Sequence, residues 1–365
     1  MEATRISFKG TAGREFVREL KAEVNNYFKE QGLSQHANAQ MYLKTAILLT
    51  TYFGAYGLII SGYFSVSGML ILCFVMGIGM AGIGFSISHD ALHGAYSPNN
   101  MVNRLLGYSF DLLGANGYIW KITHNIIHHT YTNIHEHDED LEVAEFIRLS
   151  PHAEYKWIHR FQHILAFIAY GFATLFWVFI KDYKYFLKPT LGPYENKSHP
   201  VAEWITLILT KTLYYGYMLV IPYLLLPITW WELIIGFLVV HFTAGVILGI
   251  IFQLAHVVEG TEHPTENEEG DIENVWMIHQ METTSDFAHE NKLLCWYIGG
   301  LNYQIEHHLF PRICSIHYPQ IAPIVRQVAE KYGIPYNYHR TFREAVGSHY
   351  RTLKEFGKSA EVATA

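Results

Sequence analysis

Apolar residues are concentrated in long runs, which alternate with polar stretches rich in histidine. A bilayer core about 30 Å thick requires roughly 20 apolar residues in a helix. Four runs meet or approach that length, in two pairs that are each joined by a very short turn. The pattern predicts an all-α integral membrane protein with four transmembrane helices in two hairpins: Ala46–Tyr63, Ser67–Ile87, Ile205–Ile228 and Glu232–Leu254.

A fifth apolar run, Ile164–Ile180, is at the lower edge of spanning length and has Arg160 and Lys181 at its ends. Histidine clusters precede and follow it. If these clusters meet at one metal site, an even number of spans separates them, and the second hairpin already supplies two. We therefore predict an interfacial or buried helix over Ile164–Ile180.

Basic residues predict the orientation, because cytoplasmic segments of membrane proteins carry an excess of lysine and arginine. The N-terminal segment carries several, whereas the turns at 64–67 and 229–231 carry none. The N-terminus, segment 88–160 and the tail from His256 should all be cytoplasmic. We predict a cytoplasmic N-terminal segment, a membrane domain whose polar segments form a cytoplasmic helical cap, and a cytoplasmic C-terminal tail, spanning residues 1–40, 41–320 and 321–365.

Composition narrows the possible functions. Only 16% of the 365 residues are charged, against about 25% in soluble domains. The formal net charge of −7 argues against nucleic-acid binding, which requires a basic face. The three cysteines form no CxxC pair, so neither a disulfide framework nor a cysteine zinc site is predicted. Histidine, with 22 copies, is the unusual component.

The histidines cluster at the predicted cytoplasmic edge. Residues at i and i+4 share a helix face, so both rings of such a pair can reach one metal. The first cluster follows the second span, the second lies about thirty residues later, and the third follows the last span, beyond a lone histidine at that span's end. The candidate ligands are His89, His93, His124, His128, His129, His256, Gln304, His307 and His308.

Other histidines have simpler interpretations. His159 and His163 repeat the four-residue spacing, but we expect them to lie at the interface rather than to bind metal. His135 and His137 belong to an acidic stretch and are expected to form a solvated loop or to support the ligands.

Eight imidazoles exceed the three or four ligands of a zinc site, so two metals fit better. Imidazole suits iron, copper or zinc. An all-histidine site beside a lipid phase indicates oxidation of a hydrophobic substrate, for which metal-activated oxygen is the natural oxidant. Ligating histidines usually donate their other N–H to a carboxylate or carbonyl. The candidates for that role are Asp90, Asp138, Asp140 and Glu306.

Over about residues 40–320 the chain resembles the membrane fatty acid desaturases. The run Gln304-Ile305-Glu306-His307-His308 is similar to the third histidine box of the front-end branch, in which glutamine replaces the first histidine. The motifs around the first two boxes are also similar. The resemblance implies two iron ions bound by the eight histidines, Gln304 in the position of a ninth, and molecular oxygen as co-substrate. Acyl-CoA desaturases of the family have asparagine four residues before the lone histidine, where this chain has Phe252.

The resemblance also implies an electron donor. Front-end enzymes often carry a fused cytochrome b5 domain with an HPGG motif, but the sequences after His199 and His263 do not match it. We therefore expect a separate ferredoxin or cytochrome b5, and a bacterial inner membrane rather than the endoplasmic reticulum.

The expected reaction introduces a cis double bond into a polyunsaturated acyl-CoA or lipid-linked acyl chain. Arg160, Lys181 and Lys211 are candidates for contacting the head group. A hydroxylase on the same scaffold is the nearest alternative. A transporter is a second alternative, but transporters place ionisable groups near the bilayer midplane, whereas these histidines flank the spans.

Overall fold

The computed structural model describes residues 6–11, 13–141, 144–188, 190–191, 194–195 and 198–358. Most of these residues are helical. Within this part of the chain, four helices are long and apolar enough to cross a membrane, and we call them the first to fourth spans. They are Ala39–Ile60, Val66–Leu92, Val201–Leu225 and Trp230–His256.

Polar capping residues explain why the spans begin earlier than the apolar runs suggested. Asn38 accepts hydrogen bonds from the backbone N–H groups of Gln40 and Met41, so the first span starts at Ala39. Thr229 and Glu232 form a reciprocal capping box at the start of the fourth span. The second span continues past its predicted end through the π-helical turn Gly84–Ser88, which brings the first histidine box onto the same helix.

Small residues let the spans approach closely, as is common in membrane helices. A Cβ atom on Gly77 would lie 2.7 Å from the carbonyl oxygen of Val240, so the backbones of the second and fourth spans approach closely there. Gly79 faces Tyr52 of the first span in the same way. The second span therefore packs between the first and the fourth.

The fifth apolar run forms a bent pair of segments, Trp157–Tyr170 and Ala173–Leu187, with an angle of 70° between them. Gly245 and Gly249 of the fourth span leave room for the bend, since a Cβ atom on Gly245 would lie 2.6 Å from the carbonyl oxygen of Gly171. The bent pair therefore packs directly against the fourth span, close to the histidines.

The remaining described chain forms short helices and two-stranded pairings. Strands Ser7–Phe8 and Asp271–Ile272 are parallel, Thr190–Leu191 and Tyr194–Glu195 are antiparallel, and Asp286–Phe287 and Tyr338–His339 are parallel. The other helical segments are Arg14–Glu30, Asn100–Leu112, Gly117–Trp120, the π-helical Lys121–His128, His129–Tyr131, Trp276–Thr283, Lys292–Tyr297, Gln304–Leu309, Ser315–His317, Tyr318–Tyr332 and Phe342–Phe356.

The N-terminal helix packs on the C-terminal part of the chain. Phe16, Leu20 and Val24 are buried against helix Tyr318–Tyr332 and its neighbours. Glu19 accepts hydrogen bonds from Lys331 and Tyr332 at 2.6 and 2.7 Å. Segments predicted as separate terminal regions thus share one apolar core with the helix that carries the third histidine box.

Candidate metal centre

All eight candidate histidines lie in one buried cluster, and none is more than 9% exposed. The second span, the helical segments around residues 117–131, the end of the fourth span and helix Gln304–Leu309 supply them. Among the described residues, four groups have ligand atoms mutually within 4.8 Å, and two of them, which share no residue, are called here the first and second groups. The other two are His129 with His307 and His308, and His124 with His128 and Asp140. The first group is His89, His93, His124 and His307, and the second is His128, His256 and His308.

The second box contributes to both of these groups. His124 belongs to the first group and His128 to the second, although Asp140 lies within 4 Å of both. The segment Lys121–His128 that carries both rings is π-helical, with i→i+5 hydrogen bonds. The His124 and His128 rings nevertheless stack on each other with 5.1 Å between centroids, and together with Asp140 they form a further group whose ligand atoms lie within 4.8 Å of one another.

Most ring nitrogens inside the cluster lack hydrogen-bond partners, although buried polar atoms normally have them, and one exception is a 3.3 Å contact between His124 Nε2 and His129 Nε2. Burial lowers the pKa of His93, His129, His307 and His308 well below the usual value, so these rings stay neutral with a free lone pair. Neutral imidazoles with unshared nitrogens fit metal ions. The unpartnered nitrogens are His89 Nδ1, His93 Nε2, His128 Nε2, His129 Nδ1, both nitrogens of His256, His307 Nε2 and His308 Nε2.

Asp138 is the predicted carboxylate that hydrogen-bonds directly to a histidine of the cluster. Its oxygens lie 3.0 and 3.2 Å from His128 Nδ1. They also accept the backbone N–H groups of Asn133 and Asp140 at 3.0 and 3.1 Å. These bonds fix the carboxylate, which in turn orients His128 so that Nε2 faces the cluster.

The other predicted carboxylates lie in different environments. Asp140 Oδ2 is 3.7 Å from His124 Nδ1, and its pKa is lowered because Lys181, His124 and His128 outweigh the effect of burial. Asp90 accepts hydrogen bonds from Cys314 and Ser315, with 3.7 Å between Oδ1 and His89 Nδ1.

Glu306 points away from the ligand rings. It accepts a hydrogen bond from Tyr336 at 3.0 Å and lies beside Asp286. Burial and the Asp286 carboxylate raise its pKa well above the usual value.

The structure adds two partners that the sequence did not indicate. Gln280 Oε1 lies 2.7 Å from His308 Nδ1 and also accepts the Thr132 hydroxyl at 2.9 Å. The Tyr318 hydroxyl lies 3.1 Å from His307 Nδ1. Because a carbonyl oxygen only accepts, His308 must carry its proton on Nδ1, which leaves Nε2 bare. No local motif marks Gln280, since its contacts join segments far apart in the chain.

A Gln280→Leu variant is expected to bind iron about tenfold to a hundredfold more weakly, the usual effect of removing a partner that orients a metal ligand. Gln280→Glu keeps an acceptor for His308 Nδ1 and should retain most of the affinity. Metal titration of purified protein, with the melting temperature as a check on folding, measures both variants. Equal affinities in Gln280→Leu and the unaltered protein would exclude the orienting role.

A cavity reaches the cluster from one side. Its lining includes His89, His124, His307 and Gln304, which is 3% exposed, so Gln304 lies where its amide can face a ligand of the first group. Trp120 stacks on His124 with 4.3 Å between ring centroids. The remaining lining is largely apolar, with Glu139, Asp140, Lys181 and Tyr185 at one end.

Phe252, the residue at which this chain departs from the acyl-CoA desaturase pattern, is part of the site. Phe252 lines the cavity and packs on His128 and His256, with 5.2 Å between centroids in each case. Gln253 is buried beside it, and its side-chain oxygen has no hydrogen-bond partner. The aromatic ring therefore shields the second histidine group, and the amide lies next to it.

The three candidate head-group cations lie in different environments. Lys211 is buried and binds Asp182 at 2.7 Å together with three backbone carbonyls, so the prediction that it contacts a head group is wrong. Arg160 is exposed and lies over the rings of Trp157 and Phe161. Lys181 lines the cavity, 3.5 Å from Asp140.

The remaining histidine pairs lie outside the two groups. His159 bonds to the backbone of Glu145 and Lys156, and His163 packs on Tyr350. His137 Nε2 lies 3.2 Å from Glu266 Oε1.

Fold and site together define a helical membrane protein with a buried histidine cluster suited to metal. The family model for fatty acid desaturase matches residues 65–340. The chain therefore belongs to the fatty acid desaturase family, and it is an oxidoreductase that desaturates acyl chains.

Three relatives are similar over most of the chain. The "sn-1 linoleoyl-lipid 6-desaturase" of Arthrospira platensis is 38% identical, covering 98% of this chain and 96% of the relative. The protein of the same name from Synechocystis is 38% identical, covering 99% and 100%. The "Acyl-lipid (8-3)-desaturase" of Physcomitrium patens is 31% identical, covering 96% and 74%. They confirm the prediction of a desaturase and favour it over the hydroxylase.

Proposed function

We propose that this protein is a di-iron, front-end desaturase of lipid-linked acyl chains. The observation that carries the proposal is the cluster of eight buried histidines, with its unpartnered nitrogens, on the wall of an apolar cavity. Relatives named as lipid desaturases support a lipid-linked substrate over acyl-CoA. Phe252, in place of the asparagine of acyl-CoA desaturases, agrees with that choice.

The two histidine groups are the proposed positions of the irons. His89, His93, His124 and His307 would hold the first iron, and His128, His256 and His308 the second, with His129 between them. Gln304 is a further candidate ligand of the first iron. When bound, the irons supply the activation of molecular oxygen that oxidises two neighbouring methylene groups. Two external electrons and two protons complete the reduction of oxygen to water.

The cavity is proposed to bind the acyl chain and to exclude water. Its polar end, with Lys181 and Tyr185, would receive the ester end of the chain. Asp140 joins this polar end to the histidines, since it lies 3.5 Å from Lys181 and 3.7 Å from His124. The short distance from polar end to cluster favours desaturation near the carboxyl end, as the front-end type requires.

The methyl end of the chain is proposed to enter a second apolar space. That space is lined by Met80, Leu113 and Ala115, and it shares Gly84, Phe110, Trp177 and Leu248 with the cavity. It has no charged residue among its lining residues. The chain beyond the reacting carbons can therefore remain in an apolar environment.

Filling this apolar end tests the direction of the chain. An Ala115→Phe variant should lose about tenfold in kcat/KM on the longest acyl chains, the effect of excluding roughly two methylene groups. Shorter chains should react at the original rate and serve as the internal control. Product analysis across a series of chain lengths measures the shift. An unchanged length preference would place the methyl end elsewhere.

The membrane arrangement is also proposed. The first and second spans, and the third and fourth, would form two hairpins whose connecting turns carry no lysine or arginine. The boundaries 1–40, 41–320 and 321–365 would divide a cytoplasmic N-terminal segment, the membrane domain with its cap, and a cytoplasmic tail. The similarity to cyanobacterial proteins supports a bacterial membrane. A separate ferredoxin or cytochrome b5 would supply electrons from the cytoplasmic side.

Expression of the full chain in a bacterial host, supplied with linoleoyl lipids, tests the reaction. We expect one new cis double bond on the carboxyl side of the existing ones. Mass spectrometry of the intact lipids gives its position and its carrier. A hydroxylated product, or a new bond on the methyl side, would contradict the proposal.

A further inference from the structure

A second groove lies beside the cavity. It is bounded by residues 144–156, after the second histidine box, and by the bent helix pair, and its lining includes Leu141, Ile147, Leu149 and Phe172. The groove and the cavity share a wall, so the two spaces lie side by side. The shared residues are Tyr170, Ala173, Phe176, Trp177 and Tyr185.

The helix that borders the groove has an apolar outer face. Its exposed side chains recur every three or four residues, which aligns them along one side of the helix. Such a face is typical of a helix that lies in the membrane interface. The groove therefore borders a surface suited to contact with lipid. The residues of the face are Trp157, Phe161, Ile164 and Ile168 of the segment Trp157–Tyr170, each between 44% and 66% exposed, and Phe172 in the bend is also exposed.

The polar ends of the two spaces are adjacent. Lys181 lines the cavity, Lys184 lines the groove, and Tyr185 lines both. A molecule with a polar centre at Tyr185 can thus extend one apolar arm into each space. A diacyl glycerolipid has that shape.

The charges of the groove favour a lipid over a carrier with several phosphates. Arg148 donates hydrogen bonds to the backbone carbonyls of Ala153 and Phe356, and Lys156 donates one to the carboxylate of Glu145. Glu154 adds another negative charge to the lining. Two of the cationic groups that coenzyme A would require are therefore already bonded within the protein.

We propose that the groove binds the second acyl chain of a diacyl glycerolipid while the chain to be desaturated occupies the cavity. The inference rests on the proposed function, since it takes the substrate to be lipid-linked. The second chain then contributes binding energy at a distance from the reacting carbons. A lysolipid with one chain should be the poorer substrate.

The test compares a diacyl glycerolipid with the matching lysolipid, which carries only the reacting chain, in mixed micelles with the full-length protein. An Ala169→Trp variant narrows the groove, because Ala169 lines it but not the cavity. We expect kcat/KM for the diacyl lipid to fall about tenfold, the loss from excluding roughly two methylene groups. Its value for the lysolipid should not change. Ala202→Trp, on an exposed face of the third span, is the matched control.

Each other outcome overturns the inference. Equal losses on both substrates would show that the groove does not bind a part of the substrate that only the diacyl lipid has. No loss on either substrate would show that the substrate does not occupy the groove. An unaltered protein that does not distinguish diacyl lipid from lysolipid has no second-chain site. If the unaltered protein desaturates acyl-CoA but neither lipid, the lipid-linked substrate class of the proposed function is wrong as well. This result differs from the failures above, in which the lipids are desaturated and only the second-chain site is excluded.

Discussion

A His308→Ala variant is expected to desaturate no acyl chain and to lose bound iron. His308 Nε2 is one of the unpartnered nitrogens of the second histidine group, and its other nitrogen is held by Gln280. Alanine removes a ligand outright, so the effect should exceed the roughly 10–100-fold loss that follows from removing a partner of a ligand. Iron analysis and lipid product analysis of the same purified sample measure it.

His163→Ala is the matched control for His308→Ala. It makes the same chemical change at a histidine that packs on Tyr350, outside both groups. Iron content and product yield should stay at the level of the unaltered protein. Unchanged iron and product in His308→Ala would remove His308 from the proposed site.

An Asp138→Ala variant is expected to lose about tenfold to a hundredfold in activity and iron affinity. The carboxylate holds His128 Nδ1 at 3.0 Å and two backbone N–H groups. Its loss leaves the imidazole free to rotate or change tautomer, and it leaves buried donors unpaired. The iron dissociation constant and kcat/KM are the measurements.

Glu266→Ala is the control for Asp138→Ala. Glu266 is also a carboxylate paired with a histidine, His137, but this pair lies outside the histidine groups. Its removal should change neither iron affinity nor kcat/KM. If the two variants behave alike, the effect of Asp138 belongs to general stability rather than to the orientation of His128.

The apolar pattern predicted the four membrane-length helices but not their ends. Hydropathy locates apolar runs, whereas Asn38 and the π-helical turn Gly84–Ser88 determine where two of the helices begin and continue. The bend between Tyr170 and Ala173 was not predictable either. It depends on contact of Gly171 with Gly245 of the fourth span, 74 positions later in the sequence.

The cluster was predictable because histidine spacing is a local signal. The grouping of its rings was not, because rings from different boxes meet only in the tertiary fold: His124 lies with His89, His93 and His307. Gln280 and Tyr318 could not be found from the sequence, since each reaches its histidine through the tertiary fold. Lys211 looked like a free cation in the sequence, but Asp182 on the bent pair neutralises it.

The iron content of active, purified protein tests the central claim most directly. The account predicts roughly two irons per chain, as a two-metal site requires, and activity that increases in proportion to iron. Fully active protein with one iron per chain, or with zinc in place of iron, would contradict it.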